Sequence, residues 1–435
     1  MKKIIVSLTA ASLIVASAVA ADKGIDIVTT GQTALYYQTV GTNATGAADL
    51  LDQKASKANV GVQLNLDADL KNDFTFGSQL TYLGTTGLEK NLVSNTMQNV
   101  GTATGNTSIA EEIALTQIYI AKKIANTTVK IGRQELPMAL SPLAFSEDWN
   151  VFKNTFEAAL VVNSDIPNTT LVGAYVGKSN QHGDLSSFAN PVARTDASTT
   201  NANVDGTAYM ITAQNKSLPM STITASYYSM AKIGNNIVAG NDIGANAIWA
   251  DVAVADKSLP MGLTLGLQAG QITPDSKLGA VALTDTTAMG VKAAIKPVDA
   301  LNLTAAFTSV SGDDTKVNVA VKNVGTGVKT PLYTQMVLNQ DAIALDANTF
   351  MLKGVYSFGT LGSVIAQGTS TTAGKSNLNN IAGKENDCTD LELLYTVKAA
   401  GVDYLAGFIN QSFSEKTATN MDSLNAVRVW ARYNF

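Results

Sequence analysis

Apolar and polar positions alternate with a period of two along most of the chain. The clearest run sets Val60, Val62, Leu64, Leu66, Ala68 and Leu70 against Gly61, Gln63, Asn65, Asp67 and Asp69. Successive side chains of an extended strand point to opposite faces, so this run predicts a strand with one apolar and one wet face. The chain then turns at Lys71-Asn72-Asp73 and alternates again, with Phe74, Phe76, Leu80 and Tyr82 against Thr75, Gly77, Gln79 and Thr81. Two such runs across a short polar turn predict a hairpin.

The same unit repeats to the C-terminus. Short turns are expected near Ala125-Asn126, Pro167-Asn168, Leu218-Pro219, Leu259-Pro260, Pro297-Val298, Gly359-Thr360 and Ala400-Gly401. Between them lie longer segments rich in Gly, Asn, Thr, Ser and Asp, at roughly 41–57, 84–111, 134–155, 178–206, 232–245, 271–286, 312–346, 371–388 and 413–423. Strict alternation of short and long connections is the layout of an outer-membrane barrel with short periplasmic turns and long extracellular loops.

Two turns are near-copies. Lys216-Ser217-Leu218-Pro219-Met220 recurs as Lys257-Ser258-Leu259-Pro260-Met261, and Asn126-Thr127-Thr128 recurs as Asn168-Thr169-Thr170, at offsets of 41 and 42 residues. That period is one hairpin with its connections. Propeller blades have a similar period, but the loops here are too long and the blade signature is missing. A soluble sandwich would carry more charge on its polar face and more proline in its turns. The predicted fold class is therefore all-β, a transmembrane antiparallel up-and-down β-barrel of about eighteen strands, an even number as single-chain bacterial barrels have.

The last residues sharpen this expectation. Val427, Val429, Ala431, Tyr433 and Phe435 share one face, while Arg428, Trp430, Arg432 and Asn434 share the other. An apolar strand at the end of a soluble chain would leave an aggregation-prone edge, whereas in a barrel it pairs with the first strand. Tyr433 and Phe435 look like the C-terminal signal that such barrels present to the barrel assembly machinery. Tyr36, Tyr82, Tyr209, Tyr356 and Phe358 fit aromatic girdles at the membrane interfaces.

At the other end, Lys2 and Lys3, the apolar stretch Ile4 to Val15 and the small-residue exit Ala18-Val19-Ala20 have the layout of a cleaved signal peptide. Residues 1–20 are read as that signal and 21–435 as a single barrel. No later run approaches the ~18–20 apolar residues of a membrane helix, which excludes a helical membrane protein.

Composition narrows the chemistry. Charged residues make up only 15% of the chain and there are nine prolines, unusual for a soluble chain of 435 residues. Without Lys2 and Lys3, 28 basic residues stand against 35 acidic ones, a net charge of −7 that gives no footing for nucleic acid. Cys388 is the single cysteine, so no internal disulfide can form. The single histidine, His182, lies in a polar loop, which argues against a barrel enzyme built on a histidine centre. No cofactor is expected.

The stretch Val129-Lys130-Ile131-Gly132-Arg133-Gln134-Glu135-Leu136, followed by a long loop and a return strand from Phe156 to Val162, is similar to the Gly-Arg-Gln region of OprD-like porins. It most resembles the major outer-membrane porins of epsilonproteobacteria. The resemblance implies an eighteen-stranded general diffusion porin, a homotrimer, with the loop after this strand folding inward to narrow the pore. In some relatives calcium sits in the lumen, but no local ligand motif here carries it over. Outer-membrane lipid and lipopolysaccharide would be its surroundings, and small hydrophilic solutes its cargo.

Extending the alternation places Asp67, Asp69, Glu157, Asp251, Lys292, Lys353, Glu392, Arg428 and Arg432 on the lumen face, and the inward loop adds Glu135, Glu147, Asp148 and Lys153. Arg133 falls on the lipid side by strict alternation; a bulge at Gly132 is expected to turn it into the lumen. Charges of both signs around a pore predict weak ion selection, with the acidic excess favouring cations. A structural or adhesin barrel is the competing reading.

Overall fold

The structure is a computed structural model describing residues 25–52, 55–86, 112–148, 151–180, 188–189, 207–236, 241–274, 282–379, 384–416 and 421–435. The signal segment and His182 lie outside the described residues. Eighteen strands form the wall: β1 (Asp26–Thr42), β2 (Ser56–Lys71), β3 (Phe74–Thr85), β4 (Glu112–Ile124), β5 (Thr127–Gln134), β6 (Phe156–Asn163), β7 (Thr169–Asn180), β8 (Thr207–Asn215), β9 (Ser221–Asn236), β10 (Asn241–Ala255), β11 (Thr264–Pro274), β12 (Thr286–Val298), β13 (Leu301–Val310), β14 (Ala347–Ser357), β15 (Ser363–Ala373), β16 (Cys388–Ala399), β17 (Val402–Phe413) and β18 (Ser423–Asn434). Each pairs antiparallel with its sequence neighbour, and β1 pairs with β18 from Gln32 opposite Asn434 to Thr42 opposite Leu424. Closure satisfies the ladder on both sides of every strand, the condition for crossing a membrane with extended chain.

The alternation becomes an inside and an outside. On β2, Val60 is exposed on the outer surface while Gly61 lies inward against the Phe152 ring. Leu352, Leu393, Ile211 and Met289 are likewise more than half exposed outward, and their neighbours Met351, Leu394, Met210 and Ala288 are buried inside. So much exposed apolar surface would be costly in water at ~25 cal/mol per Å², and is stable against hydrocarbon.

Short turns carry the backbone reversal. Lys71, Asn72 and Asp73 all have positive φ, and the Asp69 side chain accepts from the Lys71 N–H at 2.8 Å. The repeated Lys-Ser-Leu-Pro-Met turns share a left-handed methionine, Met220 (φ 60°) and Met261 (φ 51°). The turn expected at Pro297-Val298 falls later, since β12 runs to Val298 and β13 starts at Leu301. The expected loop at 232–245 is largely strand, with Gly234 to Asn236 paired to Asn241 to Ile243.

Among the described residues, two connections turn into the barrel and pack against the inner face of its wall. The first, residues 135–148 and 151–155, follows β5 and buries Leu136, Leu143, Phe145, Val151 and Phe152. The second, residues 311–346, follows β13, contains a single helical turn (Gln340–Ile343), and buries Val319, Val321, Val324, Leu332, Met336 and Ile343. Reading 312–346 as an ordinary polar loop is thus corrected. Its valines and leucines join the first loop and the inward faces of the wall in one apolar cluster, and Met336 packs beside Ala306 and Met351.

Candidate pore and its lining

The first inward loop is closed on itself where the Ser146 N–H donates to the Leu136 carbonyl at 2.8 Å and the Leu136 N–H donates to Ser146 Oγ at 3.0 Å. This loop then meets the second through Glu147. The carboxylate is 2% exposed, and one oxygen, Oε1, accepts from Asn323 Nδ2 at 2.9 Å, from the Lys329 N–H at 3.1 Å and from the Thr326 hydroxyl. Around it Asn323 Oδ1 accepts from the Phe145 N–H at 3.1 Å, and the Val324 N–H donates to the Leu143 carbonyl at 2.8 Å.

The second loop is in turn pinned to the wall. The Val337 N–H donates to Glu392 on β16 at 2.7 Å, and the Tyr333 N–H to Gln268 on β11 at 2.8 Å. Ser179 on β7 donates to the Gly325 carbonyl at 2.6 Å. Tyr333 also donates its phenol to Asp251, while Lys292 Nζ lies 4.1 Å from the centre of the Tyr333 ring. Burial first, and the bond to Asp251 next, push this phenol above its usual range.

Water-accessible space remains beneath the loops, toward the short turns. One recess of about 490 Å³ is lined by Gln32, Gln63, Asn65, Gln79, Glu135, Lys153 and Arg432. The other, about 750 Å³ along β8 to β12, is lined by Trp249, Asp251, Lys292, Lys329, Tyr333 and Phe145. Asp148 lines both. At this point the first loop approaches β18, with Arg432 Nη2 donating to the Asp148 carbonyl at 3.3 Å. Glu135 and Lys153 form an ion pair of 2.9 Å beside it.

Asp67, Asp69, Asp251, Lys292, Lys353, Glu392, Arg428 and Arg432 fall on inward faces. Their neighbours mark the outside: Val252, Val291, Leu352, Leu393 and Val429 all fall on the opposite faces. Their surroundings differ. Arg432 reaches open space, whereas Arg428 is buried, with Nε and Nη2 both donating to Gln38 Oε1 at 2.8 and 2.6 Å. Glu392 is also buried and engaged by Val337 and Gln367. Glu135, Asp148 and Lys153 line open space, while Glu147 is largely consumed by the loop contact.

Three expectations are corrected by the register. Arg133 lies opposite Ile118 and Glu157, while Gln134 and Phe156 on either side of that pair point inward and are buried. Arg133 and Glu157 therefore share the outer face, joined by an ion pair of 2.9 Å, and Arg133 Nη1 also donates to the Leu115 carbonyl. Gly132 does adopt an unusual backbone (φ 129°), but no residue is added there, so the alternation is not reset. Register shifts lie instead across from Gln79 and Leu80, where Thr116 is the extra residue of β4, and across from Glu157 and Ala158, where Gly177 is the extra residue of β7. Third, Tyr36 is not a girdle residue; its ring is buried on the inner face under Arg428. Tyr209, Tyr356, Phe358 and Tyr433 do stand outward and exposed.

Sequence reasoning missed Asn323, Lys329 and Tyr333, all on the second loop. Val319, Val321, Val324 and Leu332, too apolar for a solvated loop, were the available signal. It also missed a recurring group: Lys130 lies 3.6 Å from the Tyr119 ring centre and Tyr119 donates to Asp67 at 3.2 Å, the same arrangement as Lys292, Tyr333 and Asp251.

No family model matches the sequence, and no curated protein is similar to it at the sequence level. Solved structures are similar in fold. Pseudomonas aeruginosa OccK8 (OprE) superposes with a TM-score of 0.69 at 15% identity, covering 94% of this chain and 98% of that one. Pseudomonas aeruginosa OpdK, solved with vanillate, gives 0.70 at 13% identity over 94% and 98%. Acinetobacter baumannii OccAB3 gives 0.69 at 13% identity over 94% and 99%. The chain thus has the closed eighteen-stranded fold of these proteins along nearly its whole length.

Proposed function

We propose that this protein is an outer-membrane porin, a water-filled passage through which ions and small hydrophilic solutes diffuse without catalysis or energy input. The observation that carries the reading is the division of the wall: an apolar outer face, and an inner face of Gln, Asn, Thr and charges of both signs around open space. A barrel of this strand number leaves a lumen that wall side chains alone cannot fill. The likeness to OccK8, OpdK and OccAB3 supports the same reading.

In this reading the lumen narrows where Asp148 of the first loop approaches Arg432, with Glu135 and Lys153 alongside. Facing charges of opposite sign favour weak selection, and the acidic excess of the chain favours cations. Residues 1–20 would be removed on export, and the barrel would work as a homotrimer within outer-membrane lipid and lipopolysaccharide after insertion by the barrel assembly machinery. The experiment is reconstitution into a planar bilayer. Stable ohmic steps with a small cation-directed reversal potential are expected; verified insertion without conductance would overturn the reading in favour of a structural or adhesin barrel.

A further inference from the structure

Glu147 stands out among the carboxylates of the lumen because three hydrogen bonds reach it from the second inward loop. Asn323, Thr326 and Lys329 belong to a loop some 176 to 182 residues further along the chain. All three donate to the same oxygen, and further bonds repeat the connection between the loops: the Val324 N–H donates to the Leu143 carbonyl, and the Asn323 side chain accepts from the Phe145 N–H and donates to the Phe145 carbonyl. The Glu147 N–H itself is held by Asn154 Oδ1 at 2.7 Å. The next residue is Asp148, which lines both recesses and touches Arg432.

The second loop is fastened to the wall at β7, β11 and β16, while the first is tied to β9 through the Leu143 N–H, which donates to the Tyr228 hydroxyl at 3.2 Å, four residues before Glu147. Glu147 therefore stands between a fixed body and the residue at the narrow point. We infer that Glu147 is a latch: a positioning residue that ties the first inward loop to the second, so that the width and steadiness of the pore are set by two loops acting as one. Removing the latch loosens the stretch that carries Asp148, whose remaining ties are the bond from the Glu147 N–H to Asn154, the Arg432 bond to the Asp148 carbonyl and the buried Val151 and Phe152, and lets it move toward and away from β18. The inference rests on the porin reading and adds to it which carboxylate controls steadiness rather than ion selection.

The acceptor pattern supplies a sharp test. A glutamine at 147 keeps an Oε1 acceptor and removes the charge, whereas alanine removes both. Single-channel recording of wild type, Glu147→Gln, Glu147→Ala and Asn323→Ala in the same salt separates the two roles. The latch requires a noisy current with frequent excursions to altered conductance in Glu147→Ala and in Asn323→Ala, which removes a partner of Glu147 without changing any charge, with Glu147→Gln quiet and close to wild type. If both Glu147 variants shift the reversal potential equally while conducting quietly, and Asn323→Ala is silent, Glu147 acts by its charge and the latch is refuted. Heat-modifiable migration on a gel verifies that each variant is a folded barrel. Should Glu147→Ala not fold, the quiet or noisy current of Asn323→Ala beside that of Thr326→Val decides the matter. Absence of any channel in the wild type would instead sink the porin reading and is distinguishable from these results.

Discussion

Arg432 on the last strand donates through Nη2 to the backbone carbonyl of Asp148, 284 residues earlier in the chain, at 3.3 Å. The contact leaves the Asp148 carboxylate free of that bond, so an acidic and a basic group stand side by side where the first loop meets the wall. Each acts on a passing ion through water, with a reach of about 10 Å at 0.1 M salt and about 30 Å at 0.01 M.

Asp148→Asn is therefore expected to move the reversal potential in a salt gradient toward anions, and Arg432→Gln to move it toward cations. Both shifts should shrink as salt rises from 0.01 to 1 M. Unchanged potentials in both variants at low salt would place the narrow point elsewhere.

The pore should respond to pH through Lys329. This residue lies outside the strands, and burial lowers its ammonium from 10.5 to about 8, against the opposing pull of Glu147. The folded value is depressed, so the charged form is disfavoured in the folded protein: the cost is present below pH 8 and relieved as pH rises toward 10.5. In the pore, raising pH from 7 to 9 removes a positive charge from the larger recess and should strengthen cation preference. Lys329→Met should flatten that dependence between pH 7 and 9; an equal slope in the variant would assign the titration to another group.

The ladder that closes the barrel extends to Phe435. The Gly31 N–H donates to the Phe435 carbonyl at 2.7 Å and the Phe435 N–H to the Gly31 carbonyl at 2.9 Å, while a Cβ on Gly31 would come within 2.3 Å of the Phe435 ring. Replacing Tyr433 and Phe435 with Ser should cut the heat-modifiable, membrane-inserted fraction severalfold. Gly31→Ala should do so more mildly, since the ring has to shift. Full insertion of the double variant would show that the strand closes without them.

Gly132 tests the backbone rather than a side chain. At φ 129° an added Cβ would sit 2.2 Å from the Ile118 carbonyl oxygen on the neighbouring strand. Gly132→Ala should cost at least about 2 kcal/mol, combining a disfavoured conformation with a clash that only backbone movement relieves. Urea unfolding in detergent or lipid measures it, and a midpoint equal to wild type would contradict the strand geometry.

What the sequence determined by itself was most of what depends on near neighbours. A period of two assigns each side chain to a face, so Val60 and Leu352 outside and Asp251 and Arg432 inside were legible before any coordinates. The turns at Lys71-Asn72-Asp73 and the repeated Lys-Ser-Leu-Pro-Met segments set the hairpin unit, and Tyr433 with Phe435 marked the closing strand. Tertiary structure decided what depends on distant partners. The inward path of residues 311–346, the burial of Glu147 beneath Asn323 and the engagement of Arg428 by Gln38 arise from contacts between segments up to 390 residues apart. Arg133 shows the boundary between the two. Its outward face followed from strict alternation and was overridden by an expected bulge at Gly132. A glycine's unusual φ is readable as a possibility from sequence, but the number of residues between two ladder bonds is fixed only when the neighbouring strands pair.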